Sequence, residues 1–378
     1  MFPLMDALRQ AQGQMFDSIG FAPHECSYRI LASSRHCRLR AYDGPDTGAC
    51  LVIVSAPIKK PYIWDLAPSA SAIRYCLDHD LRVFLVEWIP PEPTDGDAGL
   101  DEYADEALGE ATTCVAEHAN GAKPFLMGHS LGGTLAAIFA ALAPERIQGL
   151  VLLGAPLSFH QGVSRFRDSL VALAPSSPVR AGVMPGSFLS TLSAMASPET
   201  FVWSRLIDAT LSMGDRQASD IHARIERWAL DEVPLSGTLV GQILDWLYRE
   251  NRFCRGILSI RGRTVGPSDL QVPLLAVVNP ADEVAPKESA APFLDALPHR
   301  DVRLVIYPGE FGVGFQHLGI LVGRKAYAEV WPQIIAWLGS HGKAQDVAAS
   351  PAVCPEADAD SPAMPAAMPA SDSSGSRA

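Results

Sequence analysis

The sequence predicts an α/β domain built on a mostly parallel sheet, and two observations carry that prediction. Short apolar runs of strand length recur along the chain, and amphipathic helical patterns lie between several of them. The runs are unbroken rather than alternating. A strand reads that way when both of its faces are buried, as in a parallel sheet covered by helices on both sides. They are "ACLVIVSAP" (49–57), "RVFLVEW" (82–88), "KPFLMGH" (123–129), "GLVLLGAP" (149–156), "PLLAVVNP" (273–280) and "VRLVIYPG" (302–309).

In chain order, residues 1–22 read as an N-terminal helix, and two strands follow at 27–32 and 37–42, split by polar residues. Between the runs at 82–88 and 123–129 lies "LDEYADEALGEATTCVAEHA". Its residues Leu100, Tyr103, Ala104, Ala107, Leu108, Ala111, Cys114 and Val115 form one apolar stripe at helical spacing. The rhythm breaks once. Residues 157–272 lack strong buried-strand runs, are rich in helical pattern and contain Trp203, Trp228 and Trp246. An insertion of that size between sheet strands is expected to be a helical cap over the strands' C-terminal ends, placed after the sixth strand. The core is then 23–156 plus 273–342. Residues 343–378, rich in Ala, Pro, Ser and Asp, lack a core-forming pattern and are expected to be a disordered tail.

The 378 residues are 48% hydrophobic and 19% charged, a globular composition. The net charge of -12, with no basic block, argues against a nucleic-acid partner. No run approaches the ~20 apolar residues of a membrane span, and "MFPLMDALRQAQGQMF" does not read as a signal peptide. A soluble, cytoplasmic protein is expected. Its seven scattered cysteines, without a C-x-x-C, fit reduced thiols. His24, Cys26, His36 and Cys37 cluster in sequence, but no zinc-ligand spacing fits and the alternation there turns them to different faces. No metal site is expected.

The stretch "FLMGHSLGGTLAAIFAAL" carries the chemistry. A buried strand ends at His129, and a helix of small residues begins just after Ser130. Gly128 and Gly132 flank the serine as G-x-S-x-G, the pattern of a nucleophile elbow, in which bulky neighbours would collide across a sharp turn. A serine hydroxyl needs a base, and the base needs an orienting acid. In α/β hydrolases these follow in the order serine, acid, histidine, each after a late strand. Asp282, after "LLAVV", and His317, after "RLVIYPG", satisfy both order and place. Glu283 reads as a solvated charge and His129 as a local packing or hydrogen-bonding residue. The expected oxyanion donors are the backbone N–H groups of Leu131 and Ile58, since Pro57 has none.

Longer segments resemble the polyhydroxyalkanoate synthase family, in particular its shorter (class III) type that works with a partner subunit. These are "APIKKPYIWDLAPSASAIRYCLDHDLRVFLVEW", "GHSLGGTLAAIFAALAPERIQGLVLLGAP", "RWALDEVPLSGTLVGQILDWLYRENRF", "GRTVGPSDLQVPLLAVVNPADEVAP" and "QHLGILVGRKAYAEVWPQIIAWL". The match runs in order from about residue 23 to 338. The resemblance implies an α/β-hydrolase fold, 3-hydroxyacyl substrates, roles for Asp282 and His317, and a polymer granule or synthase subunit as partner. It also implies a cysteine in the elbow, where this chain has Ser130.

That exchange matters chemically. Cysteine suits transfer between thioesters, whereas an acyl-serine is an ordinary ester that water activated by histidine can hydrolyse. The expected activity is therefore hydrolysis of (3-hydroxy)acyl esters, oligomers or polyester. The alternatives are a polymerising acyltransferase and a non-catalytic polymer- or partner-binding homologue. No cofactor is expected, and a coenzyme A thioester would enter only as substrate.

Overall fold

The structure is a computed structural model that describes residues 2–92, 95–174, 182–310 and 316–348. Eight strands form its main sheet. They are β1 (Tyr28–Ser33), β2 (Cys37–Tyr42), β3 (Cys50–Val54), β4 (Arg82–Trp88), β5 (Phe125–His129), β6 (Gly149–Leu153), β7 (Leu274–Val278) and β8 (Val302–Ile306). Their spatial order is β1-β2-β4-β3-β5-β6-β7-β8. Only β2 runs against its neighbours; the pairs from β4 through β8 are parallel. From β3 the chain goes to one side for β4 and to the other for β5. That reversal opens a crevice at the C-terminal ends of β3 and β5, the usual ligand position in an open α/β sheet.

Successive strand residues feed opposite faces, as the pleat requires. Val52, Val54, Leu126, Leu150 and Leu152 pack on one face with α3 (Ala107–His118) and α4 (Leu131–Leu142). Leu51, Ile53, Met127, Val151 and Leu153 pack on the other, against α2 (Ala72–Leu77), α11 (Gly319–Val322) and α12 (Trp331–Ala348). Each such side chain contributes roughly 1.5–3 kcal/mol on burial. The helical stripe read before β5 is buried from Leu100 through Val115, with Cys114 half-buried. Cys26 and Cys37 contact opposite faces of the sheet.

β8 departs from the expectation of a strand buried on both faces. It is an edge strand, with Leu304 and Ile306 exposed and Val305 buried. A run of apolar residues does not encode its rank in the sheet.

The inserted segment contains α5 (Arg165–Leu173), α6 (Gly186–Ala196), α7 (Ser204–Ser212), α8 (Arg216–Ala229) and α9 (Gly237–Gln242). Its last stretch returns to the sheet body. The hairpin Leu258–Ile260 with Arg263–Val265 packs against α4, and the Phe253 ring lies tilted, 4.7 Å from that of Phe293 in α10 (Ala291–Asp295). The N-terminal helix α1 (Phe2–Phe16) lies on the insertion, against α6 and α8. Phe2 meets Phe188 edge-on at 5.3 Å, and Asp17 pairs with Arg227 at 2.7 Å.

α12 continues through Ala348, so residues 343–348 of the expected tail are helical. Lys, Ala and Gln there favour helix, and the first proline comes only at Pro351. The rest of that tail lies outside the described residues. Among the described residues no helix is long and apolar enough to cross a membrane.

Candidate active site

Ser130 sits where β5 gives way to α4, with φ 54° and ψ −132°. Such a backbone costs a non-glycine residue energy and persists only where its surroundings hold it. Its N–H donates to Leu153 O on β6 at 3.1 Å. The flanking glycines are sterically required. A Cβ on Gly132 would lie 2.2 Å from Val54 O, and one on Gly128 would lie 2.5 Å from Gly133 Cα. The first turn of α4 therefore rests on the end of β3. That contact sets the start of α4 against Val54 and Ser55.

Asp282 follows β7 and is 2% exposed; His317 follows β8 and is 5% exposed. His317 Nδ1–H donates to Asp282 Oδ2 at 2.6 Å, while Asp282 Oδ1 accepts from the N–H groups of Val284 and Ala285 at 2.9 and 3.0 Å. Burial alone would raise the Asp282 pKa. The adjoining imidazole and those backbone donors outweigh it and hold the carboxyl below its ordinary value. The acid is thus fixed in its ionised form, oriented to keep the imidazole in one tautomer.

His129 has a different partner from the local one expected. Its Nε2–H donates to the backbone carbonyl of His317 at 2.8 Å, with the rings 4.6 Å apart. Burial pulls its pKa down to about 3, so it is neutral and serves as a fixed donor. Glu283 is exposed, as expected of a solvated charge, and its carboxylate also accepts from Thr200 Oγ1, which ties the acid loop to the insertion.

Ser130, Leu131, Ile58 and His317 all line one cavity of about 770 Å³, within the range of small-molecule sites. Apolar side chains such as Trp64, Phe159, Phe201 and Leu244 make up much of its wall. The loop after β3 is strapped to the end of α8. Val233 N–H donates to Ile58 O at 3.3 Å, Trp228 Nε1–H donates to Lys60 O at 2.8 Å, and Lys59 Nζ donates to Ala229 O.

Sequence reasoning missed three residues of the site. Asn279 is fully buried; its Nδ2 donates to Gln316 O at 3.1 Å and its Oδ1 accepts from Ala281 N–H at 2.9 Å, joining the acid and histidine loops. The Asn-Pro pair after "LLAVV" was a readable turn signal for it. Gly154 closes β6 at φ 50°, a conformation suited to glycine, beside Asp282 and His317. Trp228 had no local signal, because its partner lies 168 residues away.

Comparison with known proteins agrees with this architecture. A family model described as "alpha/beta hydrolase fold" matches residues 66–311. The chain is 27% identical to the poly(3-hydroxyalkanoate) polymerase subunit PhaC of Haloferax mediterranei over 86% of its own length and 65% of that protein's. It is 26% identical to the PhaC subunit of Synechocystis over 88% of this chain and 89% of that one. The esterase RhEst1 of Rhodococcus superposes with a TM-score of 0.51 at 16% identity, covering 84% of this chain and all of the other, a likeness of fold alone. The chain belongs to the α/β hydrolase fold family, and the relatives it matches in sequence include poly(3-hydroxyalkanoate) polymerase subunits.

Proposed function

We propose that the protein is a serine-nucleophile hydrolase of (3-hydroxy)acyl esters or thioesters, their oligomers or polyester, working through an acyl-serine intermediate. One observation carries this reading. Ser130, on a strained elbow, shares a largely apolar cavity with a buried His317 that is hydrogen-bonded to Asp282.

Ser130 Oγ attacks the substrate carbonyl carbon while His317 Nε2 takes its proton, and Asp282 stabilises the imidazolium that forms. The N–H groups of Leu131 and Ile58 receive the oxyanion. The tetrahedral species collapses, the bond to the leaving oxygen or sulfur breaks, and the proton on His317 passes to it. Water, deprotonated by the same nitrogen, then cleaves the acyl-serine and frees the carboxylic acid. No cofactor enters any step.

The second reading is a polymerising acyltransferase, favoured by the names of the sequence relatives. It differs only in the second acceptor, a chain-end hydroxyl in place of water. The test is product analysis after incubation with 3-hydroxybutyryl-coenzyme A and with 3-hydroxybutyrate oligomers. Free acid is the expected product. New polymer would establish the transferase, and no product from either would leave a binding homologue.

A further inference from the structure

The cavity's charge runs against that of the chain. The whole sequence carries -12, yet among the described residues the cavity is lined by four basic side chains, Arg9, Lys59, Lys60 and Arg205, and one acidic one, Glu226. Arg205 and Glu226 pair with each other. Arg9 and Lys59 converge instead on one carboxylate. Arg9 Nη2 lies 2.9 Å from Glu232 Oε1 and Lys59 Nζ lies 3.5 Å from the same oxygen. Both also donate to Ala229 O. Two cations share one anion, and the Arg9 Nε donor is buried with no hydrogen-bond partner among the described residues.

We propose that Arg9, from α1, and Lys59, beside the oxyanion loop, form an anion-binding subsite of the cavity that receives a negatively charged group on the leaving half of the substrate. This rests on the hydrolase reading above. Two substrate types carry such a charge there. One is a short hydroxyacid oligomer, whose alcohol leaving group ends in a free carboxylate. The other is a carrier thioester whose thiol leaving group bears phosphates.

The electrostatics agree. Burial draws the Lys59 amine down to about 8; Glu232 opposes the shift, while Arg9 and Arg205 reinforce it. Two cations against the single Glu232 carboxylate leave a positive charge that an arriving anion would balance. A charged group bound this way, out of bulk water, shifts specificity about tenfold or more.

The experiment compares kcat/KM within two matched pairs. The first is the linear 3-hydroxybutyrate dimer as free acid and as methyl ester, with cleavage of the inner ester followed. The second is 3-hydroxybutyryl-coenzyme A and the corresponding N-acetylcysteamine thioester. The expected result is a preference of about tenfold or more for the anionic member of at least one pair. That preference should collapse toward unity in Arg9→Met and largely return in Arg9→Lys. The pair that shows it tells carboxylate from phosphate.

Lys59→Met is the second variant, for the case in which Arg9→Met loosens α1. Equal values within both pairs, or a preference that survives Arg9→Met and Lys59→Met, would overturn the subsite. Calorimetric titration of the Ser130→Ala protein with the acid dimer and its methyl ester separates the two proposals. Tighter binding of the acid supports the subsite even without turnover. Turnover of both esters with no preference leaves the hydrolase standing and removes the subsite.

Discussion

In β3, β5, β6 and β7 every residue is buried, whereas α7 in the insertion leaves Leu206, Ile207 and Leu211 exposed. Both regions face the same cavity. The sheet body supplies Ser130, Asp282 and His317 from strand ends locked by neighbours on every side. The insertion, with α1 laid on it, supplies wall and charge. Proton transfer demands fixed distances of a few ångströms, which a close-packed interior maintains. Recognition of an acyl chain tolerates looser walls. Changes in the body should therefore appear in kcat, and changes in the cap in KM and in preference among substrates.

Ser130→Ala is the largest test of that division. Turnover should fall on the order of 10⁴-fold or more while the melting temperature stays close to wild type, measured by ester hydrolysis and by calorimetry. An organophosphonate probe should label the wild type and fail on the variant. Labelling that persists would move the nucleophile elsewhere.

Asp282→Asn should cost on the order of 10³–10⁴-fold in kcat, because an amide favours the wrong tautomer of His317 and cannot balance the imidazolium. Its neighbour belongs to the other region by contact, since Glu283 is bonded to Thr200. Glu283→Gln should cost less than roughly tenfold, seen mainly in KM. The reverse ranking would reassign the acid.

Trp228→Phe sharpens the comparison at the boundary. It removes the donor to Lys60 O, one of the three hydrogen bonds that strap the loop carrying Ile58. A hydrogen bond of about 1 kcal/mol corresponds to a roughly fivefold effect. It should fall on kcat as well as KM, because the residue belongs to the insertion while its partner loop carries the proposed oxyanion donor. A change in KM alone would mean that the strap does not support catalysis. The smallest effect is expected at Gly154, where a Cβ meets Asp282 Oδ2 at an ordinary 3.4 Å. Only the positive φ is penalised, so Gly154→Ala should cost about 1 kcal/mol, or roughly 2–4 °C in melting temperature.

How much was legible divides along the same line. The buried strands announce themselves through local apolar runs. The elbow does so through Gly128, Ser130 and Gly132, and the acid and base through their order after late strands. The docking of α1 was not legible, because Asp17 meets Arg227 across 210 residues and Arg9 meets Ala229 across 220. Nothing near either residue signals its partner. β8 was misread for a related reason: its sequence resembles that of an interior strand, and only the sheet order makes it an edge.

The strap between residues 58–60 and the end of α8 also couples the two regions. Ile58 O, Lys59 and Lys60 O are each bonded to residues 228–233. A displacement of the end of α8 would therefore carry with it the loop that bears Ile58, one of the two oxyanion donors proposed above. Under the proposed mechanism, the geometry around the oxyanion and the placement of α8 are coupled through these three hydrogen bonds.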